Sequence, residues 1–142
     1  MNICPIQQLR VNNYKLDGKH FSGPLLPFFR GKQIIQYKSV QTNVMYLNCD
    51  DLSNNTIILK NKKICIVINI VKLLPNDIYI VTKECKVIDQ IYETPCSSDM
   101  LLMFLVSEDN CLNKFNISEI MFKMWAIPKC ENKYYVIPLC HN

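Results

Sequence analysis

The segment "KICIVINIVKLLPNDIYIV", residues 63–81, holds two apolar runs separated by the turn-forming residues Pro75, Asn76 and Asp77. In the first run, apolar side chains occupy both alternating faces, and Asn69 is the only polar residue before Lys72. A strand buried on both faces shows this near-continuous apolar pattern, whereas Pro, Asn and Asp favour a turn. The segment therefore predicts a β-hairpin, with a central strand over residues 63–73 and an antiparallel strand over 77–82.

Further short strand candidates lie on both sides of this hairpin. The full set covers residues 33–38, 43–49, 56–60, 63–73, 77–82, 85–93, 100–106, 120–127 and 133–138. Polar turns such as "KNKK" (60–63) and "EDNCLNKFN" (108–116) separate most of them. Alanine occurs once and glycine three times, while β-branched and aromatic residues abound, which favours strands. The pattern predicts a mainly β chain with little helix, folded as a sandwich or barrel.

The segment "FNISEIMFKMWAIP", residues 115–128, fits either a helix or a strand. As a helix, it would have Asn116 as the cap, Glu119 as the capping-box partner and Pro128 as the end. As a strand, it is a nearly unbroken buried run with one lysine, Lys123. Because eight other strand-like runs accompany it, we favour the strand, which makes the capping box a coincidence.

A chain of 142 residues fits a single domain, and its first part differs from the rest. Residues 1–32 contain all three glycines and both arginines, so we expect an extended N-terminal arm before a β-sandwich over 33–142. The apolar side chains of "SGPLLPFFRGK" (22–32) need cover, either from this domain's own core, which we favour, or from a partner. The candidate partner-binding residues are Leu25, Leu26, Phe28, Phe29 and Arg30.

The charge and the cysteines argue against several classes of function. The net charge of +4 comes with 14 lysines but only two arginines, and duplex-reading proteins usually place arginine on guanine edges. Nucleic acid is therefore a disfavoured partner. The eight cysteines form no CxxC pair, and the only histidines are His20 and His141, so neither a metal site nor another cofactor is predicted. We expect reduced, mostly buried thiols.

The sequence shows no targeting or membrane segment. The start, "MNICPIQQLR", lacks the charged region and apolar core of a signal peptide. The longest apolar run, residues 64–74, is interrupted twice and is far shorter than the ~20 residues that span a bilayer. We expect an intracellular protein without membrane contact, in which the sequon matches at Asn54 and Asn116 occur by chance. Abundant Lys, Asn and Ile, whose codons are AT-rich, indicate an AT-rich genome.

Two segments resemble the dUTPase family in their pattern. "NNTIILKNKKICIVINIVKLLPNDIYIV" (54–81) follows the family's hairpin, including its Leu-Pro turn and a tyrosine two residues after Asp77. "MLLMFLVSEDNCLNKFNISEIMFKMWAIP" (100–128) follows the second half, with Ser118 and Glu119 where the family has Gly-Asp. The resemblance covers residues 43–128 and implies a dUTPase-like β fold.

The catalytic signatures of that family are missing. Its enzymes close a glycine-rich C-terminal motif over the phosphates, but no glycine follows Gly31. "VTKECKVID" (81–89) replaces the serine motif, and Asp89 and Asp99 lack the residues that surround the family's catalytic aspartate. The resemblance is thus to the catalytically degenerate, dUTPase-related proteins of large DNA viruses, which bind host proteins. It implies neither an enzyme nor a catalytic residue.

These observations predict a non-catalytic module that binds a host or viral protein in the cytoplasm or nucleus of a host cell. One alternative is a nucleotide-binding or nucleotide-hydrolysing enzyme with a dispersed site. Another is an OB-like barrel that binds single-stranded nucleic acid through lysines and aromatic side chains, although aromatics on strands usually pack in the core. The tyrosines available for that role are Tyr37, Tyr46, Tyr79, Tyr92, Tyr134 and Tyr135. The partner and the oligomeric state stay open.

Overall fold

The computed structural model describes residues 14–90 and 104–138, which form ten β-strands and three 3-10 helices. The strands are β1 (Lys15–Asp17), β2 (Ile34–Tyr37), β3 (Ser39–Gln41), β4 (Tyr46–Asn48), β5 (Thr56–Leu59), β6 (Ile64–Leu73), β7 (Asp77–Gln90), β8 (Phe104–Asn116), β9 (Ile120–Cys130) and β10 (Lys133–Pro138). The 3-10 helices are Pro27–Phe29, Leu52–Asn54 and Ile117–Glu119. The prediction of a mainly β chain with little helix is confirmed. In the described residues, no helix has the length and apolarity to cross a membrane.

Six strands form a closed antiparallel barrel in the order β6-β5-β9-β10-β8-β7, and β7 closes it by pairing with β6. Every one of these strands contributes to one shared apolar cluster, which therefore fills the barrel interior. Its buried members are Ile58, Ile64, Ile66, Cys85, Val106, Met124, Ala126 and Val136. The sequence left a sandwich or a barrel open, and the structure shows a barrel.

A three-stranded sheet, in the order β1-β3-β4, packs against the outside of this barrel. Its buried residues Val40 and Leu47 belong to a second apolar cluster together with Ile57. Because Ile57 alternates with the interior residue Ile58 along β5, it faces outward from the barrel wall. The other buried members of this cluster are Leu59, Cys65, Val67, Ile70, Ile78, Ile80, Ile117 and Ile120.

The predicted hairpin of residues 63–82 is confirmed. Strand β6 pairs antiparallel with β7, and the register places Leu73 opposite Asp77 across the turn. The other edge of β6 is also occupied, by β5 near its start and by β2 near its end. Both faces of β6 are buried because Ile64 and Ile66 lie in the barrel interior, whereas Cys65 and Val67 lie in the second cluster outside it. The lysine-rich turn before it, residues 60–63, is exposed, as expected for charged turn residues.

The segment 115–128 combines the two structures that its sequence allowed. Strand β9 begins at Ile120, which confirms the favoured interpretation. The capping box is nevertheless formed: the Asn116 side chain accepts from the Ser118 amide at 3.0 Å, and Glu119 accepts from the Asn116 amide at 3.0 Å. The expectation of a coincidence was wrong, because the box caps a single 3-10 turn between β8 and β9.

Strands β7 and β8 are longer than predicted. The candidate 77–82 and residues 85–90 of the candidate 85–93 form one strand, β7, whereas residues 91–93 lie outside the described residues. The expected polar turn at 108–116 belongs to β8. Pairing continues because backbone hydrogen bonds need no apolar side chains. At the register shift between Lys83 and Cys85, β8 has more residues than β7, and the extra residues form an irregularity in the strand pairing. Ion pairs stabilise the polar stretch: Lys83 lies 3.7 Å from Glu108, and Lys86 lies 3.5 Å from Asp109.

The described part of the N-terminal arm, residues 14–32, is not uniformly extended. Strand β1 pairs with β3, and neither of these three-residue strands is predicted from the sequence. Both are too short to show an alternating pattern, and their pairing depends on contacts distant in sequence. The rest of the arm crosses the barrel wall, where His20 forms an isolated bridge with Gln36 of β2.

Candidate functional site

The turn that ends the N-terminal arm is anchored on the barrel by Phe29. Pro27 begins a 3-10 helix, and the amides of Phe29 and Arg30 donate to the carbonyls of Leu26 and Pro27, both at 3.0 Å. Gly31 then adopts a φ of 76°, a left-handed conformation that favours glycine. The Phe29 side chain is only 3% exposed and lies in a small apolar cluster with Val71 and Val81. The barrel therefore fixes the orientation of the turn.

The neighbouring side chains of the same turn face solvent. Phe28 is 37% exposed and Leu25 is 40% exposed, and Arg30 is exposed as well. The Phe28 ring lies edge-on to Phe29, with ring centroids 5.1 Å apart, and to Tyr79 of β7, with centroids 5.5 Å apart. These contacts hold an apolar side chain at the surface in a defined orientation.

Two lysines complete the surface around Phe28. The Nζ atom of Lys114, on β8, is 4.1 Å from the Phe28 ring centroid, and the Nζ atom of Lys32 is 4.9 Å from it. Lys114 is also 5.5 Å from the centroid of Tyr79. These distances fall within the range of cation–π attraction. We call this set the arm surface; it consists of Leu25, Phe28, Arg30, Lys32, Tyr79 and Lys114.

A shallow pocket of about 280 Å³ lies beside the same turn. It is lined by Leu25, Leu26, Pro27, Phe29 and Arg30. Four of these side chains are apolar, and the guanidinium of Arg30 is the single charge. The structure thus brings all five predicted partner-binding residues together, but it divides their roles. Phe29 and the half-buried Leu26 hold the turn on the barrel, whereas Leu25, Phe28 and Arg30 are exposed.

A buried polar network fixes the arm just before this turn. Asn69 of β6, which is fully buried, donates from Nδ2 to the Pro24 carbonyl and to Gln36 Oε1, both at 3.0 Å. Gln36 Oε1 also accepts from the Gly23 amide at 3.0 Å, and His20 Nε2 lies 3.0 Å from Asn69 Oδ1. Sequence reasoning missed this network, although one polar residue inside the apolar run of β6 was its signal.

A second cleft, of about 320 Å³, lies where β4 meets β9. Lys123 lies at this cleft and donates from Nζ to the Tyr46 carbonyl at 3.0 Å and to Asn54 Oδ1 at 2.6 Å. Burial lowers the pKa of Lys123, and the charge of Asp51 partly opposes this. The other lining residues are Gln41, Asn43, Val44, Met45, Met121 and Phe122. Both acceptors belong to neighbouring elements, so Lys123 ties β9 to β4 and to the 3-10 helix at Leu52–Asn54.

A third exposed apolar region lies on β9 and β10. Trp125 is 44% exposed and Ile127 is 39% exposed, and both alternate along β9 with residues of the barrel interior. The paired residues of β10 are Ile137 and Tyr135. Lys129 contributes a cation to this region, since its Nζ atom is 5.7 Å from the Tyr135 ring centroid. It provides a matched comparison for the arm surface.

The cysteines and carboxylates are the remaining side chains with the chemistry of metal ligands or nucleophiles. In residues 14–90 and 104–138, no three His, Cys, Asp or Glu side chains lie together as metal ligands would. The described cysteines are free thiols: Cys65 and Cys85 are buried, Cys49 is half-buried, and Cys111 and Cys130 are exposed. The expectation of mostly buried thiols does not hold for Cys111 and Cys130. Asp89 pairs with Leu105 in the barrel wall, while Asp99 and His141 lie outside the described residues.

Fold and site together define an all-antiparallel β protein, a closed six-stranded barrel with a small accessory sheet and an anchored N-terminal arm. The sequence matches the family model described as "Domain of unknown function (DUF8592)" over residues 19–139. This match covers most of the chain, including the arm surface, and the chain belongs to this family. No curated protein matches the sequence.

Proposed function

We propose that this protein is a non-catalytic binding module that engages a host or viral protein through the arm surface. The observation that carries the proposal is the contrast between two adjacent rings: Phe29 is 3% exposed and Phe28 is 37% exposed. The first ring anchors the turn, so the second is held at the surface without being free to fold back. Exposed apolar side chains in a fixed orientation are typical of protein interfaces, where aromatic and arginine residues dominate the binding energy.

A second part of the proposal concerns the fold family and the origin of the protein. We propose a degenerate, dUTPase-like protein of a large DNA virus, acting in the cytoplasm or nucleus of the host cell. In support, the first segment that resembles the family, residues 54–81, contains β5, β6 and the start of β7. The described part of the second segment, residues 100–128, contains β8 and most of β9. Ser118 and Glu119, at the position of the family's Gly-Asp, lie in the 3-10 helix directly before β9. The sequence offers no glycine after Gly31 for a phosphate-covering motif.

Affinity capture with matched variants tests the proposal. The full chain is used as bait in host-cell extract, beside a Leu25→Ser/Phe28→Ser variant and a Trp125→Ser control. Trp125 is an exposed aromatic on another face, so its replacement removes similar apolar area. We expect at least one protein that is captured by the wild type and by the control but lost with the arm variant. Identical captured sets for all three baits would refute the proposed function.

A second candidate function is nucleotide binding at the Lys123 cleft. The observation in its favour is a half-buried ammonium group next to aromatic and amide side chains, in a cleft of about 320 Å³. Isothermal titration of dUTP and other nucleotides with Mg²⁺ into the pure protein tests it. Heat that disappears with Lys123→Met would support this candidate, whereas flat isotherms for the wild type would remove it.

A further inference from the structure

The cations of the arm surface are not neutralised by the part of the chain that the structure describes. In residues 14–90 and 104–138, the ion pairs use Lys38, Lys63, Lys83 and Lys86. None of these pairs includes Arg30, Lys32 or Lys114. Asp77, two residues before Tyr79 on β7, is not in an ion pair of the described residues either. The arm surface therefore presents three positive charges around an apolar ring.

The Phe28 ring already makes cationic and aromatic contacts. The ammonium groups of Lys32 and Lys114 stand over the ring, and the rings of Phe29 and Tyr79 meet it at steep angles of 81° and 61°. A nucleic acid base that stacked on Phe28 would compete with these contacts for the ring. The arrangement suits a ligand that keeps the cations in place and pairs with them, and carboxylates do so through charge-assisted hydrogen bonds.

The pocket beside the turn adds an apolar requirement. Its volume of about 280 Å³ accommodates an apolar side chain of a partner, and Arg30 at its lining provides a planar guanidinium for a carboxylate. Lys32 and Lys114 stand over the neighbouring Phe28 ring. The surface therefore offers an apolar pocket with one cation at its lining and two further cations at the adjacent ring.

From this arrangement we infer that the partner presents an acidic segment, in which Asp or Glu residues flank one apolar anchor. The anchor enters the pocket, and the carboxylates pair with Arg30 and with the two lysines. This inference rests on the proposed function, because it specifies the chemistry of the segment that the arm surface binds. It also predicts that binding weakens with salt, since exposed charge pairs are screened over about 10 Å at 0.1 M ionic strength.

Fluorescence anisotropy with the full chain tests the inference. The probes are a labelled short peptide in which Asp and Glu flank one leucine, the same peptide with Asn and Gln in their place, and an oligothymidylate. The variants are Lys32→Glu/Lys114→Glu and the milder Lys32→Gln/Lys114→Gln. Lys129→Glu is the matched control, because Lys129 also stands over an aromatic ring but lies on β9, outside the arm surface.

We expect the acidic peptide to bind at least about tenfold more tightly than the amide peptide, a difference of about 1.4 kcal/mol. The charge-reversal variant should lose a similar factor, the milder variant should lose less, and Lys129→Glu should bind as the wild type does. Unfolding midpoints of all variants show whether each remains folded, and the milder variant decides the result if charge reversal prevents folding.

Three outcomes would overturn the inference: equal affinity for the acidic and the amide peptide, no binding of the acidic peptide, or tighter binding of the oligothymidylate with the same sensitivity to the lysine variants. The last would identify a nucleic-acid surface. These failures are separable from a failure of the proposed function. If Phe28→Ser abolishes capture of the cellular partner while charge reversal does not, the binding function stands and its acidic chemistry is wrong.

Discussion

His20 Nε2 and Asn69 Oδ1 lie 3.0 Å apart, although 49 residues separate them in the sequence. Since the amide oxygen can only accept, the imidazole nitrogen donates. The contact joins the arm to β6, a strand of the barrel wall with buried residues on both faces. His20 Nδ1 is buried with no hydrogen-bond partner in the described residues. The arm surface thus depends on a polar network that the barrel wall buries.

The network leaves no room for a side chain at Gly23. A Cβ atom there would lie 2.5 Å from Asn69 Nδ2 and 2.6 Å from His20 Cε1. We expect Gly23→Ala to reduce the free energy of unfolding by about 1–3 kcal/mol, because overpacking a buried site forces side chains from their positions. Urea unfolding measures the change. Ser22→Ala, at the exposed neighbour, is the control and should stay within about 0.5 kcal/mol of the wild type.

Replacing Asn69 itself removes the centre of the network. Asn69→Leu leaves the Pro24 carbonyl and the Ile70 amide without the partner that each has now, because Asn69 bonds to both. We expect a loss of about 2–4 kcal/mol, since each unsatisfied buried polar group costs about 1–3 kcal/mol. A double-mutant cycle with Gln36→Leu should give a coupling energy of at least about 0.5 kcal/mol. Strictly additive losses would show that the two amides do not interact.

The sequence predicted the barrel strands better than the network that the arm crosses. Strands β6 and β9 carry long apolar patterns, and their existence follows from burial alone. Strands β1 and β3 have three residues each, so no periodicity can develop, and their pairing is set by tertiary contacts. Asn69 stood out as a polar residue, but its partners lie 33 and 49 residues away and no local pattern indicates them.

The sequence predicted only some residues of the arm surface, because the others are distant in the sequence. Leu25 and Phe28 stood out because apolar residues in a Pro- and Gly-rich segment need cover. Lys114 could not be connected with them, since it lies 86 positions after Phe28 and in a stretch whose polarity indicated a turn. The extension of β8 through that stretch brings Lys114 over the Phe28 ring. No local sequence pattern indicates the pairing of β7 with β8, because this pairing depends on backbone hydrogen bonds and register shifts.

The thiols should divide into two classes of reactivity. Burial raises the pKa of Cys65 to about 11 and the pKa of Cys85 to about 12, and Cys49, half-buried, is raised to about 12 mainly by burial. Because the thiolate is the nucleophile, we expect that, of the five described cysteines, iodoacetamide at mildly alkaline pH modifies the exposed Cys111 and Cys130 first. Peptide mass spectrometry locates the label. Addition of urea should expose Cys49, Cys65 and Cys85. Rapid labelling of Cys65 in the folded protein would contradict the apolar cluster between the barrel wall and the three-stranded sheet.

The hydrogen bond between Tyr134 and Glu108 predicts a loss of stability at high pH. The Tyr134 hydroxyl donates to Glu108 Oε2 at 2.5 Å, and this bond, followed by burial and the charge of Glu108, raises the pKa of Tyr134 from 10.0 to about 12. Since the folded state retains the proton more strongly, the stabilisation is complete below pH 10 and is lost as the pH rises through about 12.

Urea unfolding of the wild type and of Tyr134→Phe, at about pH 9 and about pH 11, measures this loss on either side of the ordinary tyrosine pKa of about 10. Lysines titrate in the same range, and Tyr134→Phe controls for them because it keeps every lysine and removes only the hydroxyl. We expect the wild type to lose more stability between the two pH values than the variant. Glu108→Gln should return the pKa of Tyr134 toward 10, visible as earlier growth of tyrosinate absorbance. Equal losses in wild type and Tyr134→Phe would mean that the hydroxyl does not donate to Glu108 in solution.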